Sequence, residues 1–477
     1  MATTTTFLVS TYTSNEILAH IPKGEHGEGV YAWTLDSSSG KLSGKPTAIT
    51  KVGPNPAFLV KHPTKDILFC STECIHDQGE VITLEIKESG KLRELARYRA
   101  GGRSTCYLTL CCPDTSGEPT ALACVNYWDA IVSLLPVDPR SGQISGPLID
   151  SHMQPGAQYV FATEPDRIEH WTYRQRWPHT HCFVTEPYDR RYHFVPDLGQ
   201  DIIWCYAFAD GKLVLQGGVQ LEKGQGPRHV VFHPREKVLY VINELKSTVS
   251  TLSFHSELIH GSGTGVSVKD SLNSDPENGA FLQHVTTLRT LPDDYESNDH
   301  HKSHASEIRL HPSSKYLLIA NRGHNSIAVY FVGHAGELRL ANITPSGGAF
   351  PRNFNFDATG SFVVVGNQNS NNLTVFKFNI ETGAMNIVDQ KYQPSPNFVY
   401  SVPQCATLES LPNTISTFGN QVIDEESCVN TDNAQITAGK VPRTWTFSGF
   451  WAHCVFALMI LSFWGFAVFF VGNRADL

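Results

Sequence analysis

The stretch from Gly226 to Val249, GPRHVVFHPREKVLYVINELKSTV, holds one structural unit and three reactive side chains. Val230, Val231 and Phe232 form a short apolar run, His233 to Lys237 reads as a turn, and Val238 to Ile242 form a second run, which is the pattern of a β-hairpin. A hairpin brings the start of its first strand beside the end of its second, so Arg228 and His229 meet Asn243 and Glu244 at one edge. Related hairpins recur as NPAFLVKHPTKDILFCSTE from Asn55, STCYLTLCCPDTSGEPTALACVN from Ser104, PHTHCFVTEPYDRRYHFVPDLG from Pro178, HASEIRLHPSSKYLLIANRGH from His304 and PRNFNFDATGSFVVVGNQN from Pro351. Most of these six copies are followed by a third alternating run, so each unit supplies about four strands, the content of one propeller blade. The opening FLVSTYTS and GVYAWTLDSSSGKL from Gly29 read as the outer strands of a seventh unit, whose inner strands NFVYSVPQCATL from Asn397 can supply. Joining both ends of the domain in one blade closes a ring and removes exposed sheet edges.

The expected architecture is therefore all-β: a seven-bladed β-propeller over residues 1–407, a flexible polar linker over 408–443 and a C-terminal transmembrane helix over 444–473. Length and composition fit, since 477 residues with 41% hydrophobic and 17% charged content are enough for one large closed ring. A net charge of −9 without a basic block argues against nucleic acid as a partner. Eleven cysteines without a paired spacing fit a reducing compartment. The N-terminus has no basic and apolar signal segment. Near the other end, FWAHCVFALMILSFWGFAVFFVG exceeds the roughly 20 apolar residues needed to cross a bilayer. Without an N-terminal signal, that segment is expected to act as a single-pass tail anchor that leaves the propeller on the cytosolic side. Two insertions, Gln154 to Arg176 and about Glu257 to Lys302, lengthen connections near the candidate edge and read as lids or surface elaborations.

Start-of-strand positions at that edge give His179 and His181, Arg228 and His229, His304, and Arg352. End-of-strand positions give Glu73, Asn126, Asp197, Glu244, Arg322 and Asn367. Carboxylates, imidazoles and guanidiniums converging on one funnel suit an anionic, hydrolysable ester. The competing reading is that such groups cap strands and bridge blades, although several arginines aimed into one cavity need an anionic partner. No nucleophile elbow, P-loop, zinc-protease helix or dinucleotide fingerprint occurs. DHHKSH from Asp299 has metal-capable side chains, but its spacing matches no standard site, so neither a metal nor another cofactor is expected.

PHTH with PDLG, GPRH followed by FHP, LYVINEL, ASEIRLHP with LLIANRGHNSI, and PRNFNFDATGSFVVVGNQNSNNLTVF together resemble the bacterial-type 6-phosphogluconolactonase family of seven-bladed propellers, which also contains carboxy-cis,cis-muconate cyclase. The resemblance covers Phe7 to Leu408 and implies metal-free lactone chemistry on acidic sugar or muconate derivatives. It implies active-site roles for His179 or His181, Arg228, Glu244 and Arg322. On that reading Arg228 and Arg322 hold the substrate's anionic group and polarise its carbonyl, and a histidine of PHTH or Glu244 activates water. Asp197, His229, His304, Arg352 and Asn367 are the candidate substrate-binding groups. Hydrolysis of 6-phosphogluconolactone to 6-phosphogluconate, a pentose phosphate pathway reaction, is the leading expectation. A muconate cycloisomerase-type activity and a non-catalytic, membrane-tethered scaffold are the alternatives. The two insertions and the apolar tail depart from the family pattern.

Overall fold

The computed structural model describes residues 4–112, 117–157, 174–259, 280–295 and 303–402. The described strands form seven antiparallel sheets, six of four strands and one of five. The opening hairpin forms as read: Pro227–Phe232 pairs with Val238–Asn243, which pairs with Thr248–Phe254 and then Leu282–Arg289. The turn between its first two strands explains the recurring His-Pro pair of KHP, FHP and LHP. His233 Nδ1 accepts the Glu236 backbone N–H at 2.9 Å, and His311 Nδ1 accepts the Ser313 N–H at 3.0 Å. Asp357 takes the same place in its blade and accepts the Phe362 N–H at 2.9 Å. Side chains that satisfy turn donors locally favour these sharp reversals.

The seventh sheet closes the ring with a different division from the one expected. Only one inner strand, Pro396–Val402, comes from the C-terminal side, and it pairs directly with Thr4–Thr11, which is followed by Val30–Asp36. The reason lies in the FLVS run. Phe7 and Val9 enter the core on one side of the sheet and Leu8 enters the core on the other. A strand apolar on both faces belongs inside a blade rather than at its rim.

The hydrophobic interior is divided among seven clusters, each lying between two neighbouring blades. One of them packs Phe194, Phe232 and Phe254 with ring centroids 5.2 to 5.5 Å apart. All three rings are fully buried, and truncating such a ring to alanine costs about 3–5 kcal/mol. Because every blade is sandwiched by two others, the inner strands are held rigidly around a central channel. The expected linker, 408–443, and membrane helix, 444–473, lie outside the described residues. Among the described residues no helix is long and apolar enough to cross a membrane.

Candidate active site

The channel is shaped by an irregularity repeated in every blade. Along the innermost strand the pairing slips by one residue, for example between the Pro227/Asn243 and Val230/Val241 pairs and between Pro351/Asn367 and Asn353/Gly366. Equivalent slips occur in four further sheets. In the PHTH blade the slip falls between the Thr180/Asp197 bridge and the Val184/Phe194 pair. Such a bulge releases one residue from the alternation and re-aims its side chain. Six of the residues at these slips, Ala57, Cys106, His181, Arg228, Arg352 and Asn397, line one cavity. The residues that follow four of them, Phe58, His229, Asn353 and Phe398, complete it, together with Glu307, Tyr12 and Glu73.

Beside the cavity, Glu244 is the centre of a charge cluster. Its Oε1 lies 2.6 Å from Arg174 Nη1 and 2.7 Å from Arg322 Nη2. Its Oε2 is 3.1 Å from Arg228 Nε, an ion pair whose alignment falls short of a hydrogen bond. Burial alone would raise the Glu244 pKa, but the three guanidiniums outweigh it and hold the carboxyl well below the usual range. Arg322 is pushed down to about 9 by burial and by repulsion from Arg228, Arg352 and Arg174, which still leaves it charged at neutral pH. A second carboxylate, Glu73, accepts the Tyr12 hydroxyl at 3.2 Å and lies 3.9 Å from Arg352 Nη2. Burial raises its pKa against the pull of Arg352. The Arg352 guanidinium also lies over the Tyr12 ring and 3.3 Å from His20 Nε2.

The two histidines of PHTH separate. His181 lines the cavity, with Nδ1 3.7 Å from Cys106 Sγ. His179 instead stacks on Tyr127, with its Nδ1 3.1 Å from the Tyr127 carbonyl oxygen. Burial, with Arg228 and His229 nearby, holds the His181 pKa well below its ordinary value, and burial with Arg228 beside it lowers His229 to about 4. Both rings are therefore neutral at pH 7.

Arg228, His229, Arg352 and His181 thus meet at the cavity, with Glu244 and Arg322 beside them. Besides His179, three candidates are used elsewhere. The Asn367 side-chain amide donates to the Ser346 carbonyl at 3.2 Å and to Thr374 Oγ1 at 3.1 Å. Asn126, Asn243 and Asn321 make the same kind of brace at the ends of their own strands, so the repeat itself accounts for Asn367. Asp197 Oδ1 accepts backbone N–H groups of His179, Gly199 and Gln200 at 2.8 to 3.1 Å, capping the loop below the histidines. Burial pushes its pKa up to about 7. His304 offers its carbonyl oxygen to Arg322 Nε at 3.4 Å. Neither it nor Asp197 lines the cavity.

Several site residues escaped sequence reasoning. Arg174 sits at the end of the first insertion, where no repeat predicts a partner. Tyr12 and His20 belong to the turn after the first strand. Glu307 was findable: aligning HASEIRLHP with GPRHVVFHP places it opposite His229.

The family described as Lactonase, 7-bladed beta-propeller, matches residues 6–261 and 265–401. The 6-phosphogluconolactonase of Bacillus subtilis (strain 168) is 30% identical over 364 residues, covering 76% of this chain and 90% of its own. The periplasmic gluconolactonase of Pseudomonas aeruginosa has a solved structure similar at a TM-score of 0.66 and 24% identity, over 84% of this chain and 99% of its own. A Lactobacillus plantarum protein gives the same score and identity over 84% of this chain and 100% of its own. At that identity the structural likeness speaks to the fold.

Proposed function

The chain belongs to the seven-bladed β-propeller lactonase family, and from that premise and the charge of the cavity we propose that it hydrolyses an acidic sugar lactone, with 6-phosphogluconolactone the leading substrate. The observation that carries the proposal is the imbalance around the cavity. Five guanidiniums, Arg174, Arg228, Arg309, Arg322 and Arg352, surround three carboxylates, Glu73, Glu244 and Glu307, next to neutral imidazoles. The surplus of positive charge in a site screened from water calls for an anionic ligand, and a phosphate or carboxylate supplies it.

In this reading Arg228 and Arg352, which line the cavity, take the anionic group and the developing oxyanion. Arg322 and Arg174 act behind them through Glu244. A guanidinium aimed at a tetrahedral oxyanion contributes about 10²- to 10³-fold in rate. Glu244 is a poor base here, because three cations hold its lone pairs. The proton of the attacking water goes instead to an imidazole facing the cavity, His181 or His229, which stays unprotonated at neutral pH. The 6-phosphogluconolactonase name of the Bacillus subtilis relative favours a phosphorylated substrate.

A second reading rests on the cavity's aromatic wall. The Phe58 ring lies 4.2 Å from both Tyr107 and Phe398, a surface that also suits a planar muconolactone. Following 6-phosphogluconolactone hydrolysis by the purified full chain, beside gluconolactone and a muconolactone, separates the two. Turnover of the phosphorylated lactone with uptake of one water supports the proposal; ring closure or opening without water selects the lyase reading, and inertness toward all three removes both. The apolar segment 444–473 is read from sequence as the membrane anchor. Recovery of the chain in the soluble fraction after alkaline carbonate treatment would remove that reading.

A further inference from the structure

We propose that His229 is the catalytic base of this cavity and that Glu307 is the positioning residue that equips it for that task, an assignment that rests on the lactonase reading. The two cavity imidazoles lie edge to face, with centroids 5.0 Å apart, yet their partners differ. His181 meets the Cys106 thiol at 3.7 Å and the Tyr127 ring at 5.3 Å, and the carboxylate that acts on it, Glu244, makes no contact with the ring and is already paired with three arginines. His229 Nδ1 lies 3.4 Å from Glu307 Oε1.

Glu307 is fixed in turn. Its Oε1 accepts the Ile308 backbone N–H at 3.1 Å, its Oε2 accepts the Asn353 amide, and Arg309 Nη2 lies 3.7 Å from Oε2. An Nδ1–H donated to this carboxylate leaves the lone pair on Nε2, the tautomer a base requires, and Arg228 Nη1, now 3.2 Å from that nitrogen, gives up the place to water when it turns to the substrate. The groups facing His229 are Arg228, whose Nη1 is 3.3 and 3.2 Å from the two ring nitrogens, Glu307, Arg309, and the rings of His181 and Tyr107. Burial and Arg228 keep the ring neutral at rest, and Glu307 opposes them, favouring the imidazolium once a proton arrives.

The step balances without a further reactant. Water gives a proton to Nε2 as its oxygen bonds to the lactone carbonyl carbon, and the carbonyl pair moves onto the oxygen beside the Arg228 and Arg352 guanidiniums. The tetrahedral intermediate collapses by breaking the ring C–O bond. The imidazolium returns its proton to the departing oxygen, so the net change is one water added and one ring opened.

The test is the pH profile of 6-phosphogluconolactone hydrolysis by the full chain and its Glu307→Gln, Glu307→Asp, His229→Asn and His181→Asn variants. General-base help is worth about 10²- to 10⁴-fold, so His229→Asn should lower kcat within that range and leave KM within about threefold. Glu307→Gln should lower kcat about 10²-fold and move the acidic limb to lower pH, because the carboxylate that raises the His229 pKa is gone. Glu307→Asp should restore most of both. Wild-type turnover combined with an unaltered kcat and limb in Glu307→Gln would overturn the pair and leave the lactonase reading standing. A limb abolished in His181→Asn and retained in His229→Asn would do the same. A wild-type protein inert toward every lactone would sink the lactonase reading and this assignment together. Should Glu307→Gln fail to fold, His229→Asn decides alone: lost kcat supports the assignment, and unchanged kcat overturns it.

Discussion

Replacing Glu244 by glutamine keeps the shape of the side chain and removes one charge from the centre of the arginine cluster. The carboxylate is 1% exposed, and its three partners lie 2.6, 2.7 and 3.1 Å away. Deleting one member of a buried ionic group costs about 3–5 kcal/mol, since the surviving charges stay desolvated without compensation. Arg174 is a quarter exposed, so water screens its share, and the lower end of that range, about 3 kcal/mol, is expected. The Glu244 pKa is depressed in the folded state, so its contribution is fully present above the unfolded carboxylate value near 4.3 and is lost as pH falls through the folded value. The gap between wild type and variant should therefore be constant from pH 6 to 8 and close only in strong acid. The assay is urea unfolding at pH 7.5 with and without inorganic phosphate. The uncompensated guanidiniums of the variant should bind phosphate more tightly than the wild type does, and an anion at 100 times its Kd returns about 2.7 kcal/mol. A loss under about 1 kcal/mol, or equal stabilisation of both proteins by phosphate, would refute the description of Glu244 as the charge that holds the cluster together.

Further outcomes test other parts of the structure. Arg352→Ala should raise KM for 6-phosphogluconolactone about tenfold to a hundredfold, the worth of one hydrogen bond to a charged group, and change unphosphorylated gluconolactone much less; an equal effect on both would place the phosphate elsewhere. His193 is buried against Phe183 and Phe208 with its pKa lowered to about 3, so the fold loses stability as pH drops from about 6.5 towards that value. His193→Phe should flatten this acid limb in thermal unfolding, and an unchanged slope would contradict the assignment. At Gly199 a Cβ would lie 1.7 Å from the Trp177 carbonyl oxygen and 3.1 Å from the His179 nitrogen. Gly199→Ala should therefore displace the loop beneath His181, destabilising by about 1–3 kcal/mol and lowering turnover, as thermal melts and initial rates would show.

The ring was legible because its unit is short and local: an apolar run, a histidine or aspartate that closes a turn, and a second apolar run. The closing blade was misdivided because Thr4–Thr11 carries apolar residues on both faces, which by alternation alone resembles neither an inner nor an outer strand. Arg228, His229, Arg352 and His181 were legible as starts of strands. What brings their side chains into the cavity is the one-residue slip, and a bulge leaves no mark on apolar alternation. The same logic named Asn367 and Asp197, whose polar groups satisfy backbone and blade-bracing contacts. Strand ends collect both kinds of residue, and only the partners distinguish them. Arg174 reaches Glu244 from an insertion far off in sequence, a contact set by tertiary geometry alone.

The most direct measurement is a structure of the full chain with 6-phosphogluconate bound. The product's phosphate is expected within hydrogen-bond reach of the Arg228 and Arg352 guanidiniums, and its carboxylate beside the imidazole of His229. Product bound at another face of the propeller, with this cavity empty, would contradict it.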